Sequence, residues 1–374
     1  MTISMTSSVK IGIAGAGSIA FGTAALLAEN GHDPMLWSPS GDGTAELSSG
    51  VQLTATGAIS CQLTPRVAHS AEELCANNDV LVVALPGYGH KTVMDALVPH
   101  IRKNQHVIIS SHASLGALYL SQRLAERGIS VPITAWGTTA VTGRKKSGTE
   151  VQVNTVRKLV DACTIPEHAT DEGLAVCKHL FGDRFQLRDG LLAISLSNLN
   201  PQNHMGIALG NMTRMEHGET WSQGQNVTPN IGRLLEELDQ ERLAIAKVLG
   251  LEVRTIFEHF HLSFHVPVAS ISEMNQQMHQ LGNGGTGPAT ADSRYVTEDV
   301  PYGLGLTVVL GELAGQPAKL HDAGIRIFSA MYGRDFMAEN ELLNALNLSR
   351  FTLEDLTRAA RTGLLDTEVK HLAS

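Results

Sequence analysis

Two different patterns of hydrophobic positions divide the chain. Short apolar runs that alternate with helical stretches fill the first half, whereas helical spacing dominates after about residue 186. The runs typical of buried parallel strands are residues 9–14, 34–37, 79–85, 106–111 and 133–140. Strands that alternate with helices predict a doubly wound, Rossmann-type sheet. The expected fold is therefore an α/β domain over residues 1–186 followed by an all-α domain over residues 187–374.

The first predicted strand ends in a glycine-rich turn with the pattern G-x-G-x-x-A. Gly15 permits the tight turn, the missing Cβ of Gly17 lets the backbone approach a pyrophosphate, and Ala20 lets the helix pack closely on the strand. The helix N-terminus offers N–H groups and a positive dipole end to the anion. The pattern predicts dinucleotide binding by Gly15, Gly17, Ser18, Ile19 and Ala20.

The end of the second predicted strand bears on the choice between NAD and NADP. An NAD-binding unit usually places an acidic residue there to bind the ribose hydroxyls, but this chain has Ser38. No Arg or Lys lies between Trp37 and Arg66 to attract a 2′-phosphate. Ser38, Ser40 and loop N–H groups can hold a phosphate without a cation. The prediction leans slightly to NADP, with NAD left open.

A second turn is expected beside the first one. Residues 79–85 read as a fully buried strand that ends at Pro86 and Gly87. Ligands of such sheets bind at the carboxyl ends of the strands, so Pro86 and Gly87 are predicted neighbours of the cofactor. His90 follows them, and we interpret it as a residue of the loop rather than as a catalytic group.

Composition narrows the class of protein. Hydrophobic residues make up 43% of the chain and charged residues 17%, which indicates a large buried core rather than a disordered chain. The net charge of −9 argues against nucleic acid as a partner. The four cysteines show no metal-binding spacing, so we expect no metal and reduced thiols in a cytoplasmic protein.

One uncharged segment, residues 11–28, could be taken for a signal peptide or a membrane span. Four glycines and two hydroxyl residues interrupt it, and a single Lys precedes it. A bilayer helix needs sustained apolar residues. We therefore expect no targeting segment and no membrane partner.

The helical half contains one amphipathic stretch and one long loop. Residues 234–249 place Leu and Ile opposite charged residues, which we interpret as a core face and a solvated face. The charged residues assigned to that solvated face include Glu236, Asp239, Glu241 and Arg242. Residues 282–293 are rich in Gly, Thr and Ala, and a loop of this kind is often a functional lid.

Two polar clusters interrupt this apolar half. In residues 197–204, Asn200 and Pro201 predict an N-cap and first turn, with His204 one turn into the helix. In residues 293–301, charged side chains concentrate just before Pro301. Composition alone would favour surface salt bridges and caps for the second cluster.

On these clusters the chain resembles the opine dehydrogenases, the octopine/nopaline dehydrogenase family. The resemblance covers essentially the whole chain. Its most specific parts are Asn198-x-Asn200-Pro201-x-x-His204 and Arg294-Tyr295-x-x-Glu298-Asp299. The resemblance implies that an NAD(P)H-dependent enzyme condenses an α-keto acid such as pyruvate with the amino group of an amino acid, or oxidises the product in reverse.

The resemblance also implies roles for four residues. His204 matches the catalytic acid/base and Asp299 the carboxylate that orients it. Arg294 matches a residue that binds the keto acid, and its planar fork suits a carboxylate. Asn198 is expected to support the substrate or the nicotinamide by hydrogen bonding. The expected partners are these small molecules, and a homodimer is the assembly considered.

The sequence leaves two other functions open. One is a reductase of 2-keto or 3-hydroxy acids with the same two-domain architecture and no amine substrate. The other is an NAD(P)-binding sensor without turnover. The joint presence of His204, Asp299 and Arg294 argues against the sensor.

Overall fold

The structure, a computed structural model, describes residues 9–365. Within this range the chain forms two compact units: residues 9–195 with 354–365, and residues 196–353. No helix in the described range is long and apolar enough to cross a membrane.

The first unit is built on an eight-stranded mixed sheet. In chain order its strands are β1 (Lys10–Ala14), β2 (Asp33–Trp37), β5 (Arg66–Val67), β6 (Val80–Val83), β7 (His106–Ile109), β8 (Ile133–Trp136), β11 (Val160–Ile165) and β12 (Phe185–Leu187). The strand order is β12-β11-β8-β7-β6-β1-β2-β5. All neighbours are parallel except β11 and β8, which pair antiparallel. The predicted Rossmann-type sheet is therefore confirmed.

The helices of this unit form two groups that pack on the sheet. The helices that connect its strands are α1 (Ser18–Glu29), α2 (Ala45–Ser48), α3 (Ala71–Ala76), α4 (Gly87–Leu97), α5 (Gly116–Ala125) and α6 (Thr170–Phe181). Helix α1 contacts α6, while α4 contacts both α3 and α5. The strands between them are apolar on both faces because both faces are covered.

A second, four-stranded sheet was not expected from the sequence. It consists of β3 (Leu53–Gly57), β4 (Cys61–Leu63), β9 (Val141–Lys145) and β10 (Glu150–Val156), in the order β4-β3-β10-β9. The run at 133–140, predicted as one strand, ends as β8 at Trp136, and the chain then enters β9. This small sheet packs on α1, and its apolar side chains join the core of the first unit.

The second unit is helical, as predicted. Its helices are α8 (Asn200–Glu216), α9 (Pro229–Val248), α10 (Ile256–Phe264), α11 (Ile271–Gln280), α12 (Arg294–Thr297), α13 (Gly305–Leu313), α14 (Lys319–Tyr332) and α15 (Glu341–Leu346), with a π-helical turn at Val300–Leu304. Helices α8, α9 and α11 surround an aliphatic and Met-rich core. The fold class, a Rossmann-type domain plus an all-α domain, is confirmed.

The compact units differ from the predicted ranges at two places. Helix α7 (Gly190–Ser197) crosses the division, and α16 (Leu353–Thr362) returns to the first unit. Arg361 Nη2 lies 2.6 Å from Asp189 Oδ2, and Gln122 donates to the Gly363 carbonyl at 3.1 Å. These contacts tie the C-terminal helix to the sheet-containing unit, although it follows the helical unit in sequence.

Candidate functional site

The residues selected from the sequence lie in two places, one in each compact unit. The glycine turn (residues 15–20) joins β1 to α1. The strands β2 and β6 lie on either side of β1, and the chain reaches them in opposite directions, so the turn lies at the switch point of the sheet. Ligands of doubly wound sheets bind at this point.

Gly15 occupies a backbone position that only glycine fits. Its φ is +141°, and a Cβ there would lie 2.3 Å from the Ala84 carbonyl oxygen. The N–H of Gly15 donates to the Trp37 carbonyl at 2.8 Å. The turn therefore runs close against the ends of both neighbouring strands, as the sequence pattern predicts.

The rest of the turn leaves room for an anion. A Cβ placed on Gly17 would meet no atom within 4 Å. Helix α1 begins at Ser18 and Ile19 with no side-chain cap and no acidic residue in its first turn. Ala20 is fully buried beneath the turn. An uncapped helix start without negative charge fits the pyrophosphate of a dinucleotide.

Ser38, Pro86 and Gly87 lie at the carboxyl ends of the two flanking strands. Ser38 follows β2, and its Oγ would lie 3.2 Å from a Cβ placed on Gly43. Pro86 is the N-cap of α4 and Gly87 its first residue. His90 is not a loop residue as expected, because it lies inside α4 and is fully buried, with Nε2 donating to the Leu85 carbonyl at 2.9 Å.

A cation that the sequence pattern did not predict lies near the glycine turn. Lys145, the last residue of β9, donates from Nζ to the Ala16 carbonyl at 3.0 Å. Its ammonium lies 4.5 Å from the centroid of the Phe21 ring. A search limited to the residues after β2 could not find it, because it is 129 positions away from Ala16.

In the helical unit, His204 and Asp299 are in direct contact. His204 lies in the first turns of α8, and Asp299 immediately precedes the π-helical turn. His204 Nδ1 is 2.6 Å from Asp299 Oδ2, although the two residues are 95 positions apart. The His204 side chain is 15% exposed and that of Asp299 is 9% exposed, so the contact is largely shielded from water.

Tyr295 lies against the same imidazole, which the sequence did not reveal. Its ring is stacked on that of His204, with centroids 3.6 Å apart and planes 10° apart. Its hydroxyl donates to Gln223 Oε1 at 2.5 Å. Burial and the nearby carboxylate of Asp299 raise the pKa of Tyr295 to about 12, so the phenol stays neutral near pH 7. The only available signal was the position of Tyr295 within the second polar cluster.

Arg294 and Asn198 have different surroundings. The Arg294 side chain is 57% exposed, and its Nε lies 3.5 Å from Glu298 Oε2. Asn198 accepts the N–H of Asn200 through Oδ1 at 3.1 Å. Asn200 is the first helical residue of α8 rather than its predicted N-cap, and the N-cap position is occupied by Leu199.

The charged face predicted for residues 234–249 is wrong for two residues. Asp239 is 0% exposed and Arg242 is 2% exposed, and Arg242 Nη2 donates to Asp239 Oδ1 at 2.7 Å. The carboxylate also accepts from Gln202 Nε2 at 3.0 Å and from the Ile256 N–H at 2.8 Å. Charges are buried in this way when they are paired and hydrogen-bonded. Through the bond from Gln202, the pair holds α9 against the start of α8. Gln202 is two positions before His204 in that helix.

The loop at 282–293 is irregular, as expected, but is held at several points. The Trp221 indole donates to the Pro288 carbonyl at 3.0 Å, and the Tyr332 hydroxyl donates to that of Ala291 at 2.6 Å. A Cβ on Gly287 would lie 2.2 Å from the Trp221 ring. A role of this loop as a lid stays a prediction.

Two family models match separate parts of the chain. Residues 187–332 match the alpha-helical domain of NAD/NADP octopine/nopaline dehydrogenase, and residues 10–114 match the coenzyme F420-dependent NADP oxidoreductase model. An opine dehydrogenase of Arthrobacter sp. (strain 1C) is 27% identical over 95% of this chain and 99% of its own length. Protein ocs of Agrobacterium tumefaciens (strain Ach5) is 22% identical over 94% and 98%.

Solved structures share the fold. Octopine dehydrogenase with NADH and L-arginine superposes with a TM-score of 0.80 at 17% identity, over 94% of this chain and 98% of that one. Yersinopine dehydrogenase with NADP⁺ bound gives a TM-score of 0.69 at 14% identity, over 90% and 98%.

The fold, the glycine turn and the matched models together define an NAD(P)-dependent oxidoreductase with a Rossmann-type and a helical domain, whose cofactor is NAD or NADP. The helical part of the chain matches the octopine/nopaline dehydrogenase model, and 95% of the chain is similar to an opine dehydrogenase.

Proposed function

We propose that this protein catalyses the NAD(P)H-dependent condensation of an α-keto acid with the amino group of an amino acid, or the reverse oxidation. The observation that carries the proposal is the contact between His204 Nδ1 and Asp299 Oδ2 at 2.6 Å. Two residues so far apart in sequence are brought together in a shielded position of the family's helical domain. This arrangement supports an acid/base role.

Condensation joins the amine nitrogen to the keto carbon and releases water, which leaves an imine. A nicotinamide cofactor, when bound, would supply the hydride that reduces the imine carbon. The imine nitrogen must hold a proton while the hydride arrives, and it keeps that proton in the secondary-amine product. His204 is proposed to exchange protons with the reacting groups through Nε2, since Nδ1 is directed to Asp299.

Asp299 is proposed to fix the orientation and tautomer of the imidazole. A carboxylate that accepts from Nδ1–H leaves Nε2 as the atom that takes up and releases protons. The 9% exposure of Asp299 supports a strong effect of its charge.

Arg294 is proposed to bind the carboxylate of the keto acid, and Asn198 to support the bound substrate. The exposed guanidinium of Arg294 has only a 3.5 Å approach to Glu298 Oε2, which is longer than a good bidentate pair. A substrate carboxylate could therefore compete for its fork. Asn198 Oδ1 accepts the N–H of Asn200, so the NH2 group of its side chain is the part proposed to reach the substrate.

The glycine turn with Ser18, Ile19 and Ala20 is proposed to bind the pyrophosphate, and Ser38 the adenosine ribose or its 2′-phosphate. Pro86 and Gly87 are proposed to line the nucleotide. The open space at Gly17 and the uncapped start of α1 support this assignment.

The test is a matrix of α-keto acids and amino acids with NADPH and NADH, followed by absorbance of the reduced cofactor. Pyruvate and L-arginine are the first pair to use, because solved octopine dehydrogenase structures contain one or the other. We expect the reduced cofactor to be oxidised only when both organic substrates are present. Oxidation with keto acid alone would instead identify a keto-acid reductase, and no turnover with any pair would favour a binding protein.

A further inference from the structure

A lysine from a distant strand supplies the positive charge that the sequence around β2 lacks. Lys145 Nζ is held at two points, 3.0 Å from the Ala16 carbonyl oxygen and 4.5 Å from the centroid of the Phe21 ring. Ala16 lies between the two glycines of the turn. The ammonium is therefore held at the turn by a hydrogen bond and a cation–π contact.

The unexpected small sheet brings Lys145 to this position. Strand β9 packs along α1, and a Cβ on Gly22 would lie 3.0 Å from Val141 Cγ2. The strand then runs toward the start of α1 and ends at Lys145. The glycine at 22 lets the strand approach the helix closely, so the last residue of β9 reaches the glycine turn.

The residues that follow β2 lie next to the part of the glycine turn that Lys145 contacts. A Cβ on Gly43 would lie 2.6 Å from Ala16 Cβ and 3.2 Å from Ser38 Oγ, so Ala16, Ser38 and Gly43 are immediate neighbours. In Rossmann-type units the end of the second strand is where the 2′ position of the adenosine ribose is recognised. An acidic residue there would repel a 2′-phosphate, and Ser38 carries no such charge.

The first Arg or Lys that follows Trp37 in the sequence, Arg66, is committed elsewhere. Arg66 Nε lies 2.9 Å from Asp33 Oδ2, and its Nη2 donates to Asn78 Oδ1 at 3.0 Å. Asp33 is the first residue of β2, so Arg66 is engaged at the end of that strand opposite Ser38. Lys145, in contrast, lies directly at the glycine turn.

We propose that Lys145, together with Ser38, binds the 2′-phosphate of NADP(H) and determines the preference for NADP(H) over NAD(H). This inference rests on the nucleotide-binding part of the proposed function and is independent of the organic substrates. A phosphate oxygen would accept from the ammonium and from the Ser38 hydroxyl, and charge-assisted bonds of this type are the strong ones.

Glu46 moderates this charge. Its Oε1 lies within 1.9 Å of where a Cβ on Gly148 would be, so its carboxylate lies at the turn between β9 and β10. Burial lowers the pKa of the Lys145 ammonium, and the negative charge of Glu46 opposes this lowering. The same negative charge would weaken the attraction of a 2′-phosphate to this place, which predicts a preference for NADP(H) rather than exclusion of NAD(H).

The experiment is calorimetric titration of the full-length protein, without organic substrates, with adenosine 2′,5′-bisphosphate and with 5′-AMP. These ligands differ only in the 2′-phosphate. The wild type should bind the bisphosphate more tightly. Lys145→Met keeps the alkyl stem over Phe21 but removes the charge, and should weaken bisphosphate binding by ~10- to 100-fold while changing 5′-AMP binding less than about 2-fold. Lys146→Met, at an exposed neighbour, is the matched control and should change neither.

Two further variants keep the test decisive if Lys145→Met folds poorly. Lys145→Arg should retain the preference, and Glu46→Gln should increase it by removing a negative charge that opposes phosphate binding. Equal losses for both ligands in Lys145→Met would overturn the proposal and indicate a role in shaping the turn. Equal binding of both ligands by the wild type, or no gain in Glu46→Gln, would overturn it as well. Because no keto acid or amino acid is present, failure of the proposed reaction would leave these results unaffected.

Discussion

The ring of Tyr295 lies parallel to the imidazole of His204, with 3.6 Å between the ring centroids and 10° between the planes. The Tyr295 hydroxyl is held in turn by Gln223, whose own N–H donates to the Gly285 carbonyl at 3.1 Å. Asp299 therefore fixes the imidazole at its edge, and Tyr295 fixes it across one face. Both contacts restrict rotation of the ring, so the direction of Nε2 is defined before substrate binds.

Removing the Tyr295 ring should therefore lower kcat more than it changes KM. Tyr295→Ala is expected to reduce kcat by about 10- to 100-fold, since small misplacements of a catalytic group can cost this much. Tyr295→Phe keeps the stacked ring and should lose less than about 10-fold. Steady-state kinetics across pH, with both substrates saturating, measure the two effects. A Phe variant as impaired as the Ala variant would show that the hydroxyl, not the stack, is what matters.

The His204–Asp299 pair should behave as one unit. His204→Ala and Asp299→Asn are each expected to lower kcat/KM by about 10²–10⁴-fold, the usual effect of losing a positioned acid/base. Asp299→Asn keeps the shape of the side chain but removes the charge that holds the imidazole. The double variant should be scarcely slower than the worse single variant. Multiplicative losses in the double variant would contradict the pair, and unchanged nucleotide binding in the same variants is the control for folding.

Sequence patterns predicted those parts of the molecule whose structure depends on residues close together in the chain. The glycine turn, the parallel strands and the helical second half all follow from residue spacing along a continuous segment. The His204–Asp299 contact was expected only through the resemblance to a family, because no local rule joins positions 95 apart. The stack of Tyr295 and the arrival of Lys145 at the turn depend on how distant elements pack, which hydrophobic periodicity does not encode.

The burial of the Asp239–Arg242 pair was also not predictable from helical periodicity, and it affects the free energy of unfolding. Helical spacing assigns both residues to a polar face, but that face is covered by the start of α8 and by the segment before α10. Removing one member of a buried ion pair leaves the other charged and unpaired, at a typical cost of about 3–5 kcal/mol. Arg242→Met should therefore destabilise the protein by about that amount in denaturant unfolding.

The double variant Asp239→Leu with Arg242→Met should recover part of this loss, because no unpaired charge remains buried. Arg233→Met, at an exposed position of the same helix, is the matched control and should change the free energy of unfolding by less than about 0.5 kcal/mol. A loss in Arg242→Met no larger than that of the control would show that water reaches the Asp239 carboxylate.

Three buried histidines in the sheet-containing unit make its stability depend on pH. Burial lowers the pKa of His90 to about 4 and those of His106 and His112 to about 3. These groups stay neutral in the folded protein, whereas in the unfolded chain they take up protons below about pH 6.5. The unfolded state then binds more protons, so stability is full above about pH 6.5 and is lost as the pH falls toward 4 or 3.

His106 offers the cleanest test of this dependence. It is 1% exposed, and its Nε2 lies 2.8 Å from Thr134 Oγ1. At pH 5 its protonation in the unfolded chain should cost roughly 2 kcal/mol, since each pH unit below the unfolded pKa contributes about 1.36 kcal/mol. His106→Gln is expected to be less stable at pH 7 but to lose less stability between pH 7 and pH 5 than the wild type. Denaturant unfolding at both pH values measures the difference, with the exposed His69→Gln as the control that should keep the wild-type slope. An unchanged slope in His106→Gln would mean that His106 is protonated in the folded protein and is not kept neutral by burial.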